Sequence, residues 1–133
     1  MADPAETVVR KLMDAWSTCD GEVIGQFLSD DAVFHNGPRG LHVGKEEVTT
    51  TFTGNMSICT NFHVDLNAIV SNGRTVMVER TDKFEINGKP LGVECVGVFD
   101  VNDEGLITRW REYYDLRSFE ELQLKPAGLL PAG

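Results

Sequence analysis

Asn87-Gly88 stands between two long runs in which apolar and polar residues alternate. In that setting an Asn-Gly pair is the strongest short-range hairpin signal, because both turn residues must take positive φ. It makes antiparallel partners of a strand over about Thr75 to Ile86 and a strand over about Lys89 to Val101. A two-residue turn pairs Ile86 with Lys89, Asp82 with Val93 and Arg80 with Cys95. Asn102-Asp103-Glu104-Gly105 then turns the chain into a last strand, about Leu106 to Leu116. Read as a four-residue loop, that turn pairs Val101 with Leu106, Cys95 with Glu112 and Val93 with Tyr114.

The residues before this meander read mostly as helix. Asp3 can cap a helix that has Pro4 in its first turn and Glu6 three residues past the cap. Val8, Val9, Leu12, Met13 and Trp16 follow at helical spacing. A short helix after Asp20-Gly21, a strand from Ala32 to Asn36, a helix from Lys45 to about Met56 and a strand over Phe62 to Val70 complete the first half. Ser118 and Glu121 suggest a capping box for a short closing helix, and the tail from Pro126 reads as an extended arm or lid. Helices followed by a long antiparallel sheet give an α+β protein, a curved sheet packed by N-terminal helices. The 133 residues suit one domain, 1–133.

Composition narrows the class of function. The formal charge of −9 argues against nucleic acid or an anionic membrane as the partner, since both repel an acidic surface. There is no apolar run long enough to cross a bilayer and no leader-like start. Cys19, Cys59 and Cys95 are an odd number without a CxxC pair, so neither a disulfide framework nor a metal site is expected, and the compartment expected is the cytoplasm.

In the strand before Asn87, one face carries Val76, Val78, Arg80, Asp82 and Phe84. Charges on an apolar face are costly unless they are paired. The register above adds Cys95 and Glu112 to the row of Arg80, and Val93 and Tyr114 to the row of Asp82, with Trp110 on the same face. Small Cys95 would leave room for Arg80 and Glu112 to meet across it. Two carboxyls bridged by one guanidinium suit acid–base chemistry, because burial and like-charge repulsion raise one pKa while the cation keeps the other group ionised. A structural ion-pair network would perturb pKa values in the same way, and the residues alone leave both readings open.

Four stretches carry a family resemblance: Asp31 to Asn36, Glu79-Arg80-Thr81-Asp82, Gly97-Val98-Phe99, and Ile107 to Phe119. They resemble the limonene-1,2-epoxide hydrolase family, within the nuclear transport factor 2-like fold, over nearly the whole chain. The resemblance implies a cone-shaped pocket, no cofactor, and an Arg that bridges two carboxyls. Carried over, Asp82 is the proton donor to the epoxide oxygen, Arg80 the bridge, and Asn36 a holder of the attacking water. Two positions depart from the pattern: the base is Glu112 instead of Asp, and the water-holding Tyr is Phe34. The implied pocket is lined by Phe34, Val78, Phe84, Val93, Cys95, Trp110 and Tyr114, and takes a small hydrophobic epoxide and water. The implied assembly is a homodimer through the outer sheet face, where Thr81, Arg109, Arg111 and Tyr113 lie.

Other residues read more plainly. His35 and His63 fall on polar sides of their strands, and the three histidines make no metal pattern with nearby carboxylates. Trp16, Phe52 and Met56 read as core residues. Two further functions stay in view: an isomerase or cyclase on the same fold, and a non-catalytic module that binds a hydrophobic ligand. The isomerase chemistry needs Asp where this chain offers Asn36 and Gly97.

Overall fold

The computed structural model describes residues 3–131. Helix α1, Pro4–Ala15, starts as its sequence dictates, with the Asp3 side chain accepting from the Glu6 N–H at 2.8 Å. Its inward residues Val9, Leu12 and Met13 are buried. A 3-10 turn, Trp16–Thr18, ends at Cys19 in the left-handed region and leads to α2, Gly21–Gly25. Helix α3, Lys45–Met56, lies hard against α2. A Cβ on Gly21 would sit 2.3 Å from the Thr53 backbone nitrogen, so only glycine permits that approach.

The six strands are β1 Leu28–Asn36, β2 Leu41–Val43, β3 Thr60–Asn72, β4 Thr75–Ile86, β5 Lys89–Val101 and β6 Ile107–Tyr114. Their order in the sheet is β2-β1-β6-β5-β4-β3. The β1–β6 pair is parallel and the other pairs are antiparallel, which makes the sheet mixed. Register shifts between Leu28 and Val33, Leu66 and Ala68, and Asp100 and Val101 bend the strands, and the open sheet curves around its contents. Between sheet and helices lies an aromatic core. Trp110 packs on Trp16, Phe34, Phe52 and Phe99 with ring centroids 5.0–5.4 Å apart. No helix among the described residues is long and apolar enough to cross a membrane.

Asn87 and Gly88 both take positive φ, 53° and 75°, and Ile86 pairs with Lys89 as the turn chemistry requires. The next junction differs from expectation. Val101 pairs with Ile107, not Leu106, and Cys95 pairs with Tyr114, not Glu112. The chain adds a bulge at Asp100/Val101, so the register slides by two residues along β6. The closing helix also starts differently: α4, Leu116–Phe119, is capped by Asp115, whose side chain accepts from the Ser118 N–H. The tail is not an extended arm. A π-helical turn, Glu120–Leu124, folds it back, and Gln123 exchanges two hydrogen bonds with the Gly92 backbone.

Candidate active site

Strand alternation puts Arg80 and Asp82 on the concave face of β4, and both are buried. The Arg80 guanidinium donates from Nε to Asp82 Oδ1 at 2.8 Å and from Nη2 to Asp82 Oδ2 at 3.3 Å. The same Nη2 donates to Glu112 Oε1 at 2.9 Å. One cation therefore holds two carboxyls that belong to different strands. Trp110 Nε1 also donates to Glu112 Oε1, at 2.5 Å. Both donors use one carboxylate oxygen, and Glu112 Oε2 takes no hydrogen bond from the described residues.

The register slide changes which residues make this possible. Arg80, Cys95 and Tyr114 share one row, while Val78, Gly97 and Glu112 share the next. Because the slide is an even number of residues, every side chain keeps its face. The gap that Arg80 needs is left by Gly97, not Cys95. A Cβ on Gly97 would lie 2.8 Å from Arg80 Nη1. Cys95 instead directs its thiol at Asp82 Oδ2, 3.7 Å away.

Asn36 ends β1 and pairs with Glu112 across the parallel β1–β6 ladder. Tyr114 Oη donates to Asn36 Oδ1 at 3.3 Å. The amide oxygen accepts that bond, and Asn36 itself lines the cavity. Phe34, two residues earlier, is buried and packs at a tilt on Phe52, with ring centroids 4.9 Å apart.

These groups open on a cavity of about 370 Å³. Its lining includes Phe34, Asn36, Arg80, Asp82, Phe84, Val93, Cys95, Glu112 and Tyr114, all expected from strand parity or from the family likeness. Val78 and Trp110 do not line it. Both are almost fully buried in the core behind it, Val78 opposite Gly97 and Trp110 within the aromatic cluster. Trp110 still reaches the site through its indole N–H. In the opposite direction, Trp16, Phe52 and Met56 are core residues that also form the cavity wall, along with Phe62, Ile58 and Arg39. Helical spacing marked them as buried but could not say that the helices cover a hollow. Leu124 and Leu129, from the folded-back tail, complete the lining.

The electrostatics follow from burial around a single cation. Burial pushes the Glu112 carboxyl above its usual range, although the Arg80 guanidinium pulls the other way. Burial opposes the charge on Arg80, but the Glu112 and Asp82 carboxylates outweigh it and hold the guanidinium firmly protonated. Burial likewise raises the Cys95 thiol, so it is no thiolate nucleophile. A guanidinium between two carboxyls is closest to neutral when one of them keeps a proton, which places one acid and one base side by side.

A family model described as the SnoaL-like domain matches residues 9–110. The epoxide hydrolase EphG of Mycobacterium tuberculosis is 34% identical over 111 residues, which are 81% of this chain and 71% of that protein. A solved structure of an M. tuberculosis LEH-like epoxide hydrolase superposes with a TM-score of 0.80 at 27% identity, covering 94% of this chain and 92% of that one. A SnoaL-like polyketide cyclase structure from Shewanella denitrificans also reaches 0.80, at 11% identity over 92% and 97% of the two chains, and shows likeness of fold alone.

Proposed function

The chain belongs to the SnoaL-like domain family, on the side of its limonene-1,2-epoxide hydrolase type, and from that premise we propose that it opens a small apolar epoxide to a vicinal diol without a cofactor. The observation that carries the reading is the bridge from one buried guanidinium to Asp82 and Glu112 on the wall of an apolar cavity. Glu112 Oε2 takes a proton from water that is oriented by Asn36. The water oxygen attacks an epoxide carbon, and the carbon–oxygen bond of the ring breaks. Asp82 delivers its proton to the departing oxygen. Proton transfer from Glu112 back to Asp82 restores the starting state, with Arg80 holding both groups in place. A raised pKa strengthens Glu112 as a base once it is ionised. Tyr114, by fixing Asn36, stands in for the anchoring hydroxyl that Phe34 lacks.

The protein functions as one domain and as a homodimer in this reading. The outer face of the sheet exposes Met77 and Tyr113 beside Arg111, an apolar centre with a charged margin that suits a two-fold contact.

Single-turnover hydrolysis of cyclohexene oxide in isotopically labelled water tests the mechanism. Direct attack by water puts the label into the diol in the first turnover. Label found in a protein carboxylate instead would mean a covalent ester and would refute the assignment of Glu112 as base. If the wild type opens no epoxide, the site is a ligand-binding pocket.

A further inference from the structure

The scheme above leaves one cation on the cavity wall without work. Arg39 lines the cavity at the end where Asn36, Glu112 and Tyr114 meet. It is exposed at the rim and forms no ion pair among the described residues. Of the two cations among the lining residues, Arg80 holds two carboxylates and Arg39 holds none.

Its position is fixed by the local fold. Arg39 closes a 3-10 turn, Gly37–Arg39, that follows directly on Asn36. The Asn36 N–H donates to the Gly40 carbonyl at 2.8 Å and pins the turn shut. Gly37 takes φ 48°, and a Cβ there would come within 2.8 Å of the Tyr114 ring, so ring and turn are fitted together. The positive charge of Arg39 is felt at the Tyr114 hydroxyl, where it works against the effect of burial.

Charge balance inside the cavity points the same way. Arg80 is committed to Asp82 and Glu112, which with one shared proton leave that trio neutral. Arg39 then gives the lining a surplus positive charge, within a chain whose formal charge is −9. Distant charges repel an anion in solution, but a Debye length of about 8–10 Å at physiological salt confines the rim interaction to the rim.

We propose that Arg39 is a specificity-determining residue that selects epoxides bearing a carboxylate a few bonds from the ring, by pairing with that carboxylate at the cavity rim. This rests on the epoxide hydrolase reading. The acid group lies on the side of Asn36 and Glu112, and the ring's apolar remainder lies against Phe52, Phe62 and Ile58.

The test compares cyclohexene oxide 4-carboxylate with its methyl ester, which differ in charge but hardly in shape. The wild type should favour the acid in kcat/KM by about fivefold at physiological salt, the upper range for an exposed ion pair. Arg39→Ala should bring that ratio to about one, Arg39→Lys should keep part of it, and added salt should shrink it in the wild type. Equal use of acid and ester by the wild type, or an unchanged ratio in Arg39→Ala, would overturn the proposal and leave the hydrolase reading standing. If neither epoxide is opened, the hydrolase reading has failed, and calorimetric binding of cyclohexanecarboxylate against its methyl ester decides the role of Arg39 alone. A preference for the acid that Arg39→Ala removes supports that role, and the absence of any preference overturns it.

Discussion

Asp82 and Glu112 reach the same guanidinium from very different places. Asp82 is two residues from Arg80 on one strand, while Glu112 is 32 residues away on β6, with β5 between them. The first contact needs only strand alternation. The second needs a hairpin, a bulge and a glycine to agree. A site can therefore be half local and half non-local in origin, and the two halves should fail in different ways.

Removing the shared cation breaks both halves and should do most damage. Arg80→Ala leaves two carboxyls in an apolar wall without their partner, which costs about 3–5 kcal/mol for a buried pair. Activity should vanish and the midpoint of urea unfolding should fall. Retention of wild-type stability would mean that solvent reaches the site and that the bridge is ornamental to the fold.

Cutting only the non-local arm tests the chemistry apart from the fold. Glu112→Gln keeps shape and one hydrogen-bond acceptor but cannot take a proton. Diol formation should drop by about 10²–10⁴-fold while the circular dichroism spectrum stays that of wild type. The pH dependence sharpens this. A base works only when ionised, and burial raises Glu112, so kcat/KM in the wild type should fall with decreasing pH already above the ordinary glutamate range. An acid limb at or below the usual carboxylate value would separate Glu112 from the titration.

Gly97 is the hinge of the comparison, since it clears the path between Arg80 and β6. Gly97→Ala forces a methyl to 2.8 Å from Arg80 Nη1 and 2.9 Å from the Phe99 ring. We expect a loss of about 1–3 kcal/mol in stability, as for overpacking, and a larger fractional loss of activity than of folded protein. A crystal structure of the variant should show the Arg80–Glu112 contact lengthened and the Arg80–Asp82 contact kept.

The smallest effect belongs to the local turn. Gly88→Ala strains a residue at φ 75°, and should cost about 1 kcal/mol of stability, with kcat/KM per folded molecule close to wild type. A collapse of activity would show that the β4–β5 register depends on this turn more than on the paired side chains.

The same contrast explains what the sequence made legible. Arg80, Asp82, Cys95 and Val93 could be placed in their rows because Asn87-Gly88 dictates a turn length. Asn102 to Gly105 dictates none. Asn102 accepts from the Glu104 and Leu106 N–H groups, and the bulge beside it absorbs the difference. The faces survived that slide because it was even, so the right residues were expected in the pocket with the wrong neighbours. Glu112 was on the right face by the same parity, while the roles of Phe34 and Asn36 were legible through family likeness. Arg39, Leu124 and Leu129 were not, since turns and a folded-back tail carry no periodicity to read.

The parallel pairing of β1 with β6 has a consequence for how the protein is made. Asn36 and Tyr114, which touch across the site, are 78 residues apart in the chain. β6 follows β5 after only the short turn 102–106, whereas β1 is made long before either and must wait for β6 to find its parallel partner. Loop-closure entropy adds to the delay, because so distant a contact is rewarded only after the ends have been brought together. β1 thus stays without that neighbour until β6 has been made, and a fragment that ends before β6 lacks both Glu112 and Tyr114 of the cavity wall.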